Sequence, residues 1–460
     1  MLFKNEPCRG PRLFQIVPTL SAKIIPFVGF LKQISFLIGI LFLSNCSSIR
    51  TAFSNESSIP VNSQDWATWR GPHHNGTSDS SDWIRLFPES GPQIDWEAFV
   101  GTGFSSVSVV GDRLWTMGHK EGLDTVWCLD TATGKTVWTH TYPSELVDNL
   151  HEGGPGSTPT YDSGRIFTLG KEGHCFCLDA QTGKVLWNVM LPELTGVERP
   201  TWGFSGSALV QGTQVILDAG PLISLDINTG ALLWKTKNYS PGYGSAVPFG
   251  NNGQHHIAAL NNDALLVVQA IDGQVIAEFP WNSSFSTSST TPVVDIADGD
   301  IRIWISTGYR RGGAMLRLTP DGLERIWENK LLSNHMASSI FWKGHLYGFD
   351  GNSHRARTVS IVCLDATTGD ERWREMGFGC GSLMLADDTL IVLSDQGELL
   401  FAPASPEAFT PLSRGEALDG KCWSVPVLVR KRIYCRNADG RLVCVNVELK
   451  PSAASVAPTP

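Results

Sequence analysis

Asp130-Thr131-Ala132-Thr133-Gly134-Lys135-Thr136-Val137-Trp138 decides the fold, because the chain repeats it. The pattern Asp-x-x-Thr-Gly-x-x-x-Trp returns as Asp179-Thr182-Gly183-Trp187, Asp226-Thr229-Gly230-Trp234 and Asp365-Thr368-Gly369-Trp373. Two shortened copies stand between: Asp272-Gly273 followed by Phe279, and Asp321-Gly322 followed by Trp327. The aromatics at 138, 187, 234, 279, 327 and 373 are spaced 49, 47, 45, 48 and 46 residues apart. A period in the forties with a turn signal inside each unit marks propeller blades. The chemistry within a unit is local. Alternating apolar residues such as Val126-Trp127-Cys128-Leu129 make a strand, and Asp caps the N–H groups of a tight turn in which Gly takes positive φ. The following strand carries an aromatic that packs against the neighbouring blade.

Small residues recur before each hairpin: Ser105-Ser106, Ser157-Thr158-Pro159, Gly206-Ser207, Gly244-Ser245, Ser289-Thr290-Thr291-Pro292, Ser338-Ser339, Gly381-Ser382 and Ser424-Val425-Pro426. They suit a crowded axis where inner strands converge, and they number eight. Outer strands number six by the motif, with a weak seventh near Phe409. The last repeat ends at Val443-Cys444-Val445-Asn446 with no outer strand after it, while Gln93-Ile94-Asp95-Trp96-Glu97 stands one period upstream of Trp138. The expected fold is therefore all-β: an eight-bladed propeller of four-stranded antiparallel blades, closed by an N-terminal outer strand that removes free sheet edges. Seven blades is the rival count, since repeats four and seven are degenerate.

Composition agrees. The 460 residues are 42% hydrophobic and 18% charged, with 46 Gly and 16 Trp, as many short strands and tight turns require. The net charge of −9 argues against a nucleic-acid partner, which needs a basic face. The N-terminus reads as a targeting segment over 1–46. Ile34 to Leu43 is an apolar run too short to span a bilayer but suited to a secretory signal. It ends at Leu43-Ser44-Asn45-Cys46, which looks like a lipoprotein signal with Cys46 as the lipidated residue, although Asn45 stands where such signals carry a small residue. A signal anchor over Ile24 to Leu43, interrupted by Lys32, is the alternative. Residues 47–64 read as a tether, 65–447 as the propeller and 448–460 as a disordered tail. The expected location is the periplasm or the membrane-anchored envelope. The membrane is touched only through the N-terminal segment, and the chain is expected to be a monomer.

The repeat resembles the tryptophan-docking motif of pyrroloquinoline-quinone (PQQ) dehydrogenases and of the BamB-type outer-membrane assembly lipoproteins. The head, Trp66-Ala67-Thr68-Trp69-Arg70-Gly71-Pro72-His73-His74-Asn75-Gly76, resembles the opening motif of envelope PQQ-like repeat proteins. The docking residues carried by the resemblance are Asp130, Gly134, Trp138, Asp179, Gly183, Trp187, Asp226, Gly230, Trp234, Asp365, Gly369 and Trp373. In the dehydrogenases the quinone lies over the axis beside Ca²⁺, with carboxylate ligands, an Asp base and often a disulfide between adjacent cysteines. This chain has no Cys-Cys pair, and it lacks the length of the loops that cover such a cofactor.

Candidate ligand-binding residues follow from propeller geometry, in which residues just before each inner strand line the channel mouth. These are His151, Glu152, Trp202, Phe204, Tyr243, His335, Lys421 and Trp423, with Phe104, Phe285 and Met336 beside them. Aromatics with a few polar groups suit a small-molecule or peptide pocket, or else merely plug the channel. No catalytic residue is assigned: His151 and Glu152 are adjacent in extended chain and point opposite ways. No metal site is read from the Cys and His spacing, and His73-His74 is too small a set. Cys128, Cys177, Cys363 and Cys444 hold one template position and read as buried apolar residues. Cys380 and Cys422 are either separate thiols or a disulfide. The head reads as a clasp, with Arg70 pairing to a blade carboxylate. Tyr309-Arg310-Arg311-Gly312 and His354-Arg355-Ala356-Arg357 read as exposed basic loops. The function expected is a non-catalytic envelope scaffold that binds a protein or small ligand at the axis, with no cofactor. The alternative is a PQQ- and Ca²⁺-dependent oxidoreductase.

Overall fold

The structure, a computed structural model, describes residues 61–251 and 253–448. The targeting segment with Cys46, most of the tether and the tail beyond Glu448 lie outside the described residues.

Eight blades, each a four-stranded antiparallel sheet and the seventh extended by one short parallel strand, follow one another along the chain, with the inner strands of successive sheets side by side. Blade one runs outward as Ser108–Val110, Arg113–Lys120, Leu123–Asp130 and Thr136–Pro143. Blades two to seven repeat the order. Blade eight takes only three strands from the C-terminal repeat, Val427–Val429, Arg432–Arg436 and Arg441–Asn446. Its outer strand is Gln93–Phe99, paired antiparallel with Trp96 opposite Cys444 and Phe99 opposite Arg441. The ring is thus eight-bladed and closed by the N-terminal strand. Among the described residues no helix is long and apolar enough to cross a membrane.

The repeated motif holds successive blades together. Asp130 Oδ1 accepts the Thr133 N–H at 2.9 Å and its hydroxyl at 2.7 Å, while Gly134 turns the chain at φ 68°. The ring of Trp96 lies flat on that turn, and its Nε1–H donates to the Thr131 carbonyl at 2.8 Å. The same step recurs one blade on, where Trp138 covers Gly183 and donates to Ala180, and again where Trp187 covers Gly230 and donates to Ile227. Trp327 covers Gly369 and donates to Ala366. Each tryptophan belongs to one blade and docks on the Asp-Gly turn of the next. At Gly183, φ is 71° and a Cβ would stand 2.5 Å from the Trp138 ring. Gly183→Ala is therefore expected to lower stability by about 1–3 kcal/mol, combining left-handed strain with a displaced indole. Urea unfolding of this variant beside Gly212→Ala, a positive-φ turn with open space, separates strain from collision.

Two degenerate repeats depart from the regular pattern. Phe409 does not lie on the outer strand of blade seven, which is Ser413–Glu416. Prolines at 406 and 411 keep the intervening segment out of the ladder. Phe409 instead packs on Trp373, with ring centroids 5.4 Å apart, and completes the dock of blade six. At the seam of blades four and five, Gly322 has nothing over it. There Trp281, buried and bonded through Nε1–H to the Thr307 hydroxyl at 2.8 Å, carries the contact, with the Arg311 guanidinium 3.4 Å from its ring centroid.

Toward the axis the small residues form a directional ladder of hydrogen bonds. The Ser106 N–H donates to the Thr158 hydroxyl, Thr158 N–H to Ser207, Ser207 N–H to Ser245, Ser245 N–H to Thr291 and Thr291 N–H to Ser338, at 2.8–3.4 Å. Each rung joins one blade to the next. Serine and threonine fit here because a larger side chain would fill the axis, and their hydroxyls accept N–H groups that no strand reaches.

The head segment crosses the channel as a strap. Trp66 exchanges backbone hydrogen bonds with Val109 of blade one, and Ala67 accepts the Tyr161 N–H of blade two. Trp69 Nε1–H reaches Thr291 of blade five at 2.9 Å. Arg70, fully buried, donates to the carbonyls of Asn75 at 2.6 Å and Ser339 of blade six at 2.7 Å. Thr77–Ser78 then pairs parallel with Leu385 and Ala386 of blade seven. The clasp is present, with one correction: Arg70 meets carbonyls, not a carboxylate. His73 pairs with Asp79 at 2.8 Å on the exposed side.

Candidate functional site

The strap closes one side of the axis, and the segments leading into the inner strands line a cavity of about 480 Å³ above it. Trp69 is its floor, beside the hydroxyls of Ser207, Ser245 and Thr291 from the ladder. His151, Trp202, Tyr243, His335, Lys421 and Trp423, expected at the mouth from sequence, all line it. Phe104 stacks on Trp423 with centroids 5.3 Å apart and meets His151 edge-on at 5.5 Å. Trp202 and Tyr243 form a second edge-to-face pair at 5.7 Å. Glu152 binds the Lys421 ammonium at 2.6 Å, and that ammonium also lies 4.6 Å from the Trp423 ring centroid.

Phe204 is the exception and needs correcting. It is buried in the core with Leu191 and Phe167, not at the mouth. Gly203 takes φ 73° between Trp202 and Phe204, so the alternation that would put both aromatics on one side is broken. Cys380 and Cys422 are separate, buried free thiols and form no disulfide. Burial raises each thiol to about 12, so neither is ionised at neutral pH.

Three lining residues escaped the sequence reading. Lys171 sits in the Gly170–Gly173 turn and is buried because the segment carrying Trp202 folds over it; its Nζ donates to the Trp202 carbonyl at 2.7 Å. Tyr309 and His354, read as parts of exposed basic loops, stack on each other at 5.8 Å across from Lys171's side of the ring. Tyr309 also meets His335 at a right angle, 5.0 Å away. The loops that carry these residues are strained: Val147, Leu150, Ser286, Tyr309 and Arg310 all have φ between 51° and 64°. Such outliers gather where a surface is held ready for binding. Leu150 is 88% exposed and Phe285 60%, giving the mouth an apolar rim.

The titratable groups are held in fixed states. Burial lowers His151 and His335 to about 4, so both are neutral at pH 7. His151 Nδ1 accepts the Gly153 N–H at 2.9 Å and His335 Nδ1 accepts the Ser353 N–H at 3.2 Å. The proton of each neutral ring therefore sits on Nε2. Among the described residues no three His, Cys, Asp or Glu side chains come together to hold a metal. A hard cation such as Ca²⁺ takes six to eight oxygen ligands; no Asp or Glu is among the residues that line this cavity, and Glu152, beside the lining Lys421, is engaged by it. Among the described residues, the lining thus brings no cluster of carboxylates to a Ca²⁺ ion.

A family model described as outer membrane protein assembly factor BamB matches residues 84–255 and 123–357, together more than half of the chain. Outer membrane protein assembly factor BamB of Shewanella oneidensis is 24% identical over 377 residues, which is 77% of this chain and 89% of that protein. Polyvinylalcohol dehydrogenase of a Sphingopyxis species is 26% identical over 195 residues, 37% of this chain and 28% of that one. Among solved structures, BamB from Moraxella catarrhalis superposes with a TM-score of 0.55 at 13% identity, covering 77% of this chain and 99% of that chain. Quinohemoprotein alcohol dehydrogenase from Comamonas testosteroni gives 0.64 at 11% identity, covering 84% and 81%. At such identities a shared propeller establishes shared architecture alone.

Proposed function

We propose, from the premise that this chain belongs to the propeller family described as outer membrane protein assembly factor BamB, that it is an exported envelope protein that binds a ligand at the open end of its channel without transforming it. The observation that carries this reading is the state of the cavity. Its aromatic walls, floor and rim form a recognition surface, while His151 and His335 are held neutral and Glu152 is paired with Lys421. A general base must be free to take a proton near working pH; His151 and His335 are held far from that, Glu152 is engaged, and Lys171, lowered only to about 8, carries its proton at pH 7. Export is supported by the apolar run Ile34 to Leu43 and by the relative from Shewanella oneidensis.

The rival reading, a quinoprotein oxidoreductase, draws on the partial match to polyvinylalcohol dehydrogenase. Purified protein supplied with PQQ and Ca²⁺ is expected to give no dye-linked oxidation of primary alcohols or aldoses above the protein-free rate. Turnover that saturates with PQQ would overturn the binding reading in favour of the enzyme.

A further inference from the structure

We propose that the ligand of this cavity is a small organic monocarboxylate, with its carboxylate held between the Lys171 ammonium and the His151 Nε2–H and its apolar body against Trp202, Phe104 and Trp423; the proposal rests on the binding reading above.

The charge balance carries the argument. Lys171 is 3% exposed and lines the cavity. An ammonium has three N–H donors, and the Trp202 carbonyl takes one of them. The charged groups that act on it are Asp124 and Arg199. Asp124 acts on it without bonding it: one carboxyl oxygen is bonded to His119 at 2.8 Å, and no hydrogen bond or ion pair joins Asp124 to Lys171. Lys421, the other cation at this wall, is matched one-to-one by Glu152. The wall therefore holds one ammonium that no carboxylate pairs directly. A buried ammonium with donors to spare is costly until an anion meets it.

His151 supplies the direction. Its Nδ1 is committed to the Gly153 N–H, which leaves Nε2–H to donate, and Lys171 lies close enough to depress the ring's protonation. A charged and a neutral donor side by side suit the two oxygens of a carboxylate. One ammonium without a directly paired carboxylate, with Glu152 nearby, disfavours a dianion such as a phosphate monoester. Burial lowers Lys171 to about 8, so the site loses its charge as pH rises through that value while His151 stays neutral.

The test is calorimetric titration of the full chain with phenylacetate, phenylacetamide and phenyl phosphate at pH 7. Phenylacetate is expected to bind about tenfold more tightly than the amide, which shares its shape but not its charge. Lys171→Met should erase that preference, and Lys421→Met should keep it. In wild-type protein the preference should fade between pH 7 and pH 9.5, a reading that stands even if Lys171→Met fails to fold. Equal affinity for acid and amide in wild-type protein, or a preference that survives Lys171→Met, overturns the carboxylate assignment while leaving a binding cavity. Tighter binding of phenyl phosphate overturns it in favour of a dianion. Heat from none of the three overturns the assignment, whereas the binding reading itself falls only to the oxidation assay.

Discussion

Arg436→Met lowers the unfolding free energy by about 3–5 kcal/mol, read as a fall in the urea midpoint with an unchanged slope. Arg436 is fully buried on the second strand of blade eight, and its guanidinium crosses the seam into blade one. Nη1 donates to the carbonyls of Ser105 at 3.0 Å and Met117 at 2.5 Å and to the Thr116 hydroxyl at 3.0 Å, while Nη2 donates to the Gly101 carbonyl at 2.8 Å. No carboxylate takes part; the charge is balanced by carbonyl dipoles alone. Burial lowers the guanidinium to about 9, so it still carries its charge at pH 7. Methionine fills much of the same space and removes a costly buried charge, which favours the variant. It also takes away the donors that Arg436 supplies to three carbonyls and a hydroxyl, at roughly 1–3 kcal/mol for each buried acceptor left unsatisfied, and that loss wins. Arg432→Met provides the contrast. Arg432 is two turns of the pleat away and bonds the exposed Asp95 at 3.1 Å, a contact worth about 0–1 kcal/mol.

Trp96→Ala is the second large effect, at about 3–5 kcal/mol. Its ring fills the space between Tyr434 of blade eight and the Gly134 turn of blade one, and its Nε1–H satisfies the Thr131 carbonyl. The distinguishing measurement is hydrogen exchange. Removing Trp138, which docks between blades one and two, should weaken one seam within a continuous chain. Removing Trp96 should in addition speed exchange across Gln93–Phe99 and Arg441–Asn446, because that ladder joins the two ends of the ring and no turn covalently links its strands. Equal exchange in the two variants would show that the seam is held by the ladder and not by the indole.

The blades were legible because their chemistry is local. Asp130, Gly134 and Trp138 act within nine residues of one another, and the missing outer strand could be found by extending the period back to Trp96. Phe409 marks only the neighbourhood of the seventh outer strand, which forms at Ser413–Glu416; its ring serves the preceding blade's tryptophan. The cavity was legible only in part. His151, Trp202, Tyr243, His335, Lys421 and Trp423 follow from their places ahead of inner strands. Lys171, in a Gly-Lys-Glu-Gly turn, has every mark of a surface loop; its burial comes from residues 191–204 folding over it, a contact between loops that no period announces. Tyr309 and His354 reach the cavity from loops whose exposed arginines, Arg310, Arg355 and Arg357, mark them as surface. Phe204 was misplaced by a single positive φ at Gly203, a backbone choice that glycine permits but does not declare.

The closing strand sets a clock on biosynthesis. Asp95 and Asn446, bonded across the last blade at 3.0 Å, are 351 residues apart in the chain. At about 5–20 residues per second, roughly 20–70 s pass between synthesis of one strand and synthesis of its partner. Throughout that interval Gln93–Phe99 is an edge without a neighbour, and the strap meets only those blades already made. Blades seven and eight, which receive the strap's last residues and the closing strand, are the last to leave the ribosome. A chain released early would thus expose, near its start, a strand with apolar residues and unpaired backbone, the form most readily captured by a holdase or degraded by a protease.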